Sequence, residues 1–294
     1  MAAEVHRYKV GDIEVTVLSD GFRMVPVNGN YLSNASVDDL AKALAAAGQP
    51  TDKMKNTYSP IVLNTGGKLA LVDTGTSEAA YISSKGATGQ LMTNLVAAGI
   101  EAGAIDTVII SHYHGDHING LLKADKSLAF PNAEILVPAN EHQFYMDDGN
   151  MSRATKGRVE GVFNNVRRVM SGEVQKRLRT YEWDKDVIPG VLAVGTPGHT
   201  PGHTSHVVSS GSSKVYVQAD VTHAPFLFAR NPGWHAFYDQ DGPMAEATRR
   251  KVYDMLVADK MMVQGFHYPF PAHAYIEKNG SGYREVMVPW NAAI

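Results

Sequence analysis

The sequence predicts an α/β protein, one domain of sheets covered by helices. Three features carry this reading. Strand-like and helix-like stretches alternate through both halves of the chain. The run "DTVIIS" at 106–111 is apolar and β-branched, the mark of a strand buried within a sheet. No linker, repeat or low-complexity segment divides the 294 residues, a length that can bury one large core.

The elements follow in order. "RYKVGDIEVTVLSDG" reads as two short strands around Gly11-Asp12, stopped at Asp20-Gly21. "SVDDLAKALAAAG" (36–48) is a helix: Ser36 caps it, acids fill its first turn, and Gly48 stops it. Residues 59–75 form a hairpin turning at Gly66-Gly67. A helix over 89–99 ends at Gly99, and the strand 106–111 follows. Further strands are predicted at 133–137, 188–194, 204–210 and 214–219, with mostly helix across 138–180. Residues 242–260 make an amphipathic helix with Met244, Thr248, Val252, Met255 and Leu256 on one face, and 261–266 is the next strand.

Composition narrows the function classes. Hydrophobic content of 44% with 19% charge suits a globular enzyme, and the net charge of −3 implies no nucleic-acid or anionic-membrane partner. The basic cluster Arg167, Arg168, Lys176, Arg177 and Arg179 reads as a solvated helix face. With no cysteine, disulfides, thiolate nucleophiles and zinc-cysteine sites are excluded. No apolar run reaches the ~18–20 residues that span a bilayer. The compartment stays open: cytoplasmic as the chain stands, periplasmic if a leader was removed.

The chemistry is concentrated in "IISHYHGDHING" (109–120), which holds His112, His114, Asp116 and His117 directly after the buried strand. Ligands gather at such carboxyl ends in layered α/β proteins. Gly115 lets the backbone turn, and Asp116 and His117 start a short helix running through Ile118 and Leu121. One ion takes four or five ligands at roughly 2.0–2.2 Å, and four candidates this close cannot all reach one ion from a short loop without strain. The spacing therefore suggests two ions, with His112 and His114 on one and Asp116 and His117 on the other. More candidates lie between or just beyond later strands: His199, His203 and His206 in "TPGHTPGHTSH", Asp220 after "VYVQA", and His267 after "MMVQGF".

HxHxDH, then TPGH, then a strand-terminal Asp and a late strand-terminal His resemble the metallo-β-lactamase superfamily, as does "LVDTG" at 71–75. The resemblance implies an αβ/βα four-layer sandwich of two mixed sheets flanked by helices, spanning 1–294 as one domain. It implies two divalent ions, zinc first, with manganese, cobalt or iron possible. His112, His114 and His199 would hold one ion, Asp116, His117 and His267 the other, and Asp220 would bridge them. Asp73 would orient a ligand or simply form the turn before Gly75. His203 would support a ligand or pack, and His206 would be structural. A homodimer is possible by analogy.

Two such ions activate a shared water, so the expected chemistry is hydrolysis by a metal-bridging hydroxide, with Asp116 carrying the proton. The loop after Asp220 carries Phe226, Phe228, Trp234, Phe237 and Tyr238, the first three being the candidates for substrate contact. It points either to an apolar or aryl substrate or to packing within the domain or across a dimer. Phe22 and Met24 are candidates for the opposite wall. His223 stands where lactonases of this superfamily often place a tyrosine, and it could hydrogen-bond the substrate carbonyl or the leaving oxygen. "HYPFP" (267–271) and "GYREVMVPW" (282–290) resemble the methyl parathion hydrolase and dihydrocoumarin hydrolase group. Lactone or aryl-ester hydrolysis is the expectation. Phosphotriester hydrolysis on the same site is the alternative, and a glyoxalase-II-like thioesterase, an iron redox protein or a non-catalytic scaffold follow behind.

Overall fold

The computed structural model describes residues 3–29 and 31–288. The chain opens with β1 (Val5–Val10), β2 (Ile13–Leu18) and β3 (Phe22–Pro26), then α1 (Val37–Ala46) and β4 (Lys53–Thr57). Next come β5 (Ile61–Asn64), β6 (Leu69–Val72), α2 (Glu78–Ser83), α3 (Leu91–Ala97), β7 (Thr107–Ile109) and α4 (Gly115–Ile118). The middle holds β8 (Glu134–Pro138), α5 (Ala139–Met146), α6 (Asp148–Arg153), α7 (Arg158–Val169), α8 (Gly172–Arg177) and β9 (Leu178–Tyr181). The last part runs β10 (Asp186–Ile188), β11 (Val191–Gly195), β12 (Thr204–Ser210), β13 (Ser213–Ala219), α9 (Pro225–Phe228), α10 (Gly242–Asp259), β14 (Met262–Gly265), β15 (His273–Asn279) and β16 (Gly282–Met287).

Two seven-stranded mixed sheets form, ordered β1-β2-β5-β6-β7-β8-β9 and β10-β11-β12-β13-β14-β15-β16. Their facing sides share one apolar layer: Val15, Val17, Leu63 and Val72 meet Val191, Ala193, Val208 and Val215. Outside the first sheet, α3, α5, α7 and α8 bury Leu95, Tyr145, Phe163 and Val174. Outside the second, α10 buries Val252, Tyr253 and Leu256. The order helix, sheet, sheet, helix is the four-layer αβ/βα sandwich, an α/β fold. Among the described residues no helix is long and apolar enough to cross a membrane.

Several local expectations change. The stretch 188–194 is two strands, β10 and β11, because Gly190 (φ +82°) turns the chain between them. The mostly helical region ends in β9, which joins the first sheet beside β8. The buried stripe of α10 is Ala245, Arg249, Val252, Tyr253 and Leu256, one position round from the expected face, so Met244 is exposed. Gly115 is not in the left-handed region; it opens α4, and a Cβ there would meet Asn119 Nδ2 at 2.8 Å. Of "GYREVMVPW", residues 282–287 form β16, and 289–290 lie outside the described residues.

His206 is structural, as expected. Its Nε2–H donates to the Tyr181 hydroxyl at 3.1 Å, and that hydroxyl donates to the Ile110 carbonyl at 2.8 Å. Its Nδ1 is buried without a partner, so a second proton there has no acceptor. Burial pushes this imidazole down to about 4 from 6.5. The unfolded chain therefore binds the proton first as pH falls. Stability from a neutral His206 is complete above about 6.5 and shrinks toward pH 4, by on the order of 3 kcal/mol. His206→Gln flattens this acid limb, measured as Tm against pH with chelator in both samples.

Candidate metal centre

The candidate residues stand at one edge of the sandwich, on the carboxyl ends of strands from both sheets. β6 delivers Asp73, β7 the 110–117 loop, β11 the 196–203 loop, β13 Asp220 and β14 His267. Backbone strain marks the same edge. Asp73 (φ 59°) and Ala219 (φ 49°) are left-handed without being glycine, and the β13–β14 register shifts beside Ala219. Gly198 (φ +129°) packs so tightly on α10 that a Cβ would lie 2.3 Å from the Ala245 nitrogen. That contact seats His199.

Two groups of donor atoms converge, each with its atoms within 4.8 Å of one another: His112, His114, His199 and Asp220, and Asp116, His117 and His267. His114 Nδ1 lies 3.2 Å from His112 Nε2 and 2.8 Å from His199 Nε2. With the Nδ1–H of His199 directed at Asp239, its Nε2 turns a lone pair toward His114, an arrangement that suits a shared cation. Asp220 joins the groups: Oδ1 is 3.2 Å from His117 Nε2, and Oδ2 is 3.2 Å from His199 Nε2 and 3.1 Å from His267 Nε2. Buried Asp220 Oδ1 and His117 Nε2 satisfy no hydrogen bond, which fits atoms reserved for metal. The donor set of imidazoles and carboxylates suits zinc. A further grouping, Asp220, His223 and His267, also converges.

The outer nitrogens of these rings are held in place. His117 Nδ1–H donates to Asp73 Oδ2 at 2.8 Å, and Asp73 also accepts from the Ser111 amide and hydroxyl. Asp73 thus combines a left-handed turn with an acceptor for the outer nitrogen of His117. His267 Nδ1–H donates to the Thr57 carbonyl at 2.8 Å, which makes the β3–β4 ribbon part of the site. His203 accepts the Asp220 amide on Nε2 at 3.0 Å and donates from Nδ1 to the Thr196 carbonyl, so it positions the backbone of Asp220.

Three residues were missed from sequence. Asp239 accepts from His199 Nδ1 at 2.8 Å. Arg249 lies beside Asp239 at 3.6 Å and donates to the carbonyls of Val221, Pro232 and Trp234. Glu141 accepts from the Tyr113 amide and from Thr200 and Gly202, clamping the two histidine loops together. Only Arg249 left a signal: it falls on the buried stripe of an amphipathic helix, where an arginine needs buried partners. Asp239→Asn should weaken metal binding by about 10–100-fold, read by competition with a chelator, because His199 loses its carboxylate acceptor.

Burial pushes His112 and His114 well below the usual histidine value, keeping both neutral as ligation requires. Burial opposes charge on His199 too, but Asp220 and Asp239 outweigh it and lift His199 to about 9. Burial opposes the Asp220 carboxylate, and His267 and His117 more than compensate, holding it well below the usual range.

A cavity of about 250 Å³ opens over these atoms, lined by Asn56, Asp116, Arg158, His223, Phe237 and Tyr238 among others. Asp116, with 26% of its side chain exposed, reaches this mouth and lies 3.5 Å from His267. His223 Nε2 lies 3.2 Å from Asp220 Oδ2, and burial lowers its imidazole to about 4. A trough of about 740 Å³ adjoins at Asp116 and carries Phe22, Met24 and Tyr58. Phe22 and Met24 therefore line this trough and not the cavity over the donor atoms. Phe226, Phe228 and Trp234 do not line these cavities. They pack with Tyr31, Leu40 and Leu44: α9 turns Phe226 and Phe228 inward and the loop after it adds Trp234, while Phe237 and Tyr238 face the mouth.

The profile of the metallo-beta-lactamase superfamily matches residues 57–259. An N-acyl homoserine lactonase from Bacillus sp is 24% identical over 175 residues, 59% of this chain and 60% of that protein's length. Among solved structures, AidC, a dizinc quorum-quenching lactonase in complex with a product, superposes with a TM-score of 0.90 at 25% identity. It covers 98% of this chain and 99% of its own. The hydrolase AbOPH, of the beta-lactamase superfamily, gives 0.89 at 25% identity over 99% of both chains. The profile match, the four-layer fold and the paired His/Asp clusters agree: the chain belongs to the metallo-β-lactamase superfamily.

Proposed function

We propose that the protein opens lactone rings, the reaction of the acyl homoserine lactonases it resembles, and cleaves aryl esters through the same reacting carbonyl. The observation that carries this is the convergence of both donor groups on Asp220 at the floor of an open cavity. The likeness to a dizinc lactonase over nearly the whole chain supports it. In this reading His112, His114 and His199 hold one zinc, Asp116, His117 and His267 the other, and Asp220 both. A bound zinc pair supplies Lewis acidity toward a carbonyl oxygen and lowers the pKa of water.

The chain's own residues do the rest. Asp116, the most exposed of the donors at the mouth, accepts a proton from water and returns it to the leaving alkoxide, which the ring-opened product carries as a hydroxyl. His223 stays neutral and presents its ring to the cavity, where an imidazole N–H donates to the substrate carbonyl. Phe237 and Tyr238 exclude water from one side, and Phe22 and Met24 receive an apolar arm in the trough.

One preparation tests this. Protein purified without added metal is assayed for zinc and for turnover of acyl homoserine lactones, dihydrocoumarin, aryl acetates and a phosphotriester. About two zinc per chain and fastest turnover on lactones are expected. Phosphotriester turnover far above lactone turnover overturns the assignment.

A further inference from the structure

Arg158 lines the mouth beside His114, Asp116 and Asp220 and is the one arginine or lysine there among the described residues. Its guanidinium sits 5.7 Å from the centre of the Phe237 ring. Among the described residues it makes no hydrogen bond and no ion pair. Nearby arginines differ: Arg153 donates to Asn150, Arg167 pairs with Asp148, and Arg168 donates to Asn165. Arg158 is also poorly placed for its own helix. It opens α7, where the amide dipoles disfavour a cation, and follows Gly157 at φ +96°. Its attraction to Tyr145 and Asp239 acts over longer range than an ion pair, which leaves its N–H groups open to a ligand in the mouth. A guanidinium braced on an aromatic face keeps its N–H fork free for a carboxylate or similar oxyanion. The carboxylates that share the mouth, Asp116 and Asp220, are committed to the metal pair, so they do not compete for it.

We infer that Arg158 anchors an anionic group of the substrate, a few bonds from the scissile carbonyl, and that the enzyme prefers lactones and esters carrying a carboxylate over neutral isosteres. The inference rests on the proposed carbonyl hydrolysis and adds the charge of the substrate to it. Arg23, in the adjoining trough, is the rival cation.

The test uses zinc-loaded protein and two matched esters, monophenyl glutarate and phenyl pentanoate. The wild type should favour the anion by about tenfold or more in kcat/KM, through KM. Arg158→Met should bring that ratio close to one while leaving the neutral ester unchanged. Arg158→Lys should keep part of it, and Arg23→Met all of it. An unchanged ratio in Arg158→Met, equal slowing of both esters, or a collapse in Arg23→Met overturns the inference. Calorimetry with glutaric monoanilide gives a reading that needs no turnover. Binding weakened about tenfold in Arg158→Met supports the anchor, even where neither ester is cleaved and the hydrolase proposal fails. Equal binding by wild type and Arg158→Met overturns the anchor, even where both esters are cleaved.

Discussion

Asp220→Ala should lower kcat/KM on a lactone by roughly a thousandfold or more and strip the bound zinc. Among the described residues Asp220 is the one side chain whose oxygens face candidate ligands of both groups, His199 on one side and His117 and His267 on the other. Its removal leaves three histidines for one ion and a weak Asp116, His117, His267 set for the other. It also leaves the imidazoles facing each other with no anion between them. The side chain sits at a strand end, and its amide bond to His203 is made by the backbone, so the fold should persist. Metal analysis, circular dichroism and turnover on one sample check this. Wild-type turnover in Asp220→Ala would refute the site. His112→Ala should behave similarly, and His203→Ala should be milder.

Arg249→Met should destabilise the protein by about 3–5 kcal/mol, a fall in Tm on the order of 10 °C. Arg249 and Asp239 each have 1% of their side chains exposed, so losing the cation leaves a carboxylate buried without its charge partner. The carbonyls of Val221, Pro232 and Trp234 lose their donor at the same time, which frees the 221–239 loop that carries His223 and Phe237. The double variant Arg249→Met/Asp239→Asn separates the causes. It removes the stranded charge, so it should regain part of the stability while metal binding stays weak, because His199 still lacks its carboxylate. Urea unfolding and chelator competition read the two effects apart. A double variant no more stable than Arg249→Met would assign the loss to the loop carbonyls alone.

Much of the centre was legible because metal ligation repeats a local rule: donor residues crowd at the ends of strands. HxHxDH follows β7, Asp220 ends β13 and His267 ends β14, and each could be placed from apolar runs and turn residues nearby. The supporting carboxylates followed no such rule. Asp239 lies 40 residues from the histidine it orients, and Glu141 lies 59 and 61 from the donors Thr200 and Gly202 that it clamps. No periodicity or spacing links partners so distant, since the pairing exists only once the sheets stack.

The sequence by itself determined the superfamily, the order of most helices and strands, and the residues that could meet a pair of cations, because these depend on short-range patterning and donor chemistry. Only the tertiary structure decided which aromatics face the mouth. Phe228 and Phe237 are alike in type and nine positions apart, yet one is buried against α1 and the other stands over the cavity. It also decided that the β3–β4 ribbon, two short strands outside both large sheets, reaches across to hold His267. Apolar type says that a side chain leaves water; which neighbours receive it is set by the elements that pack around it.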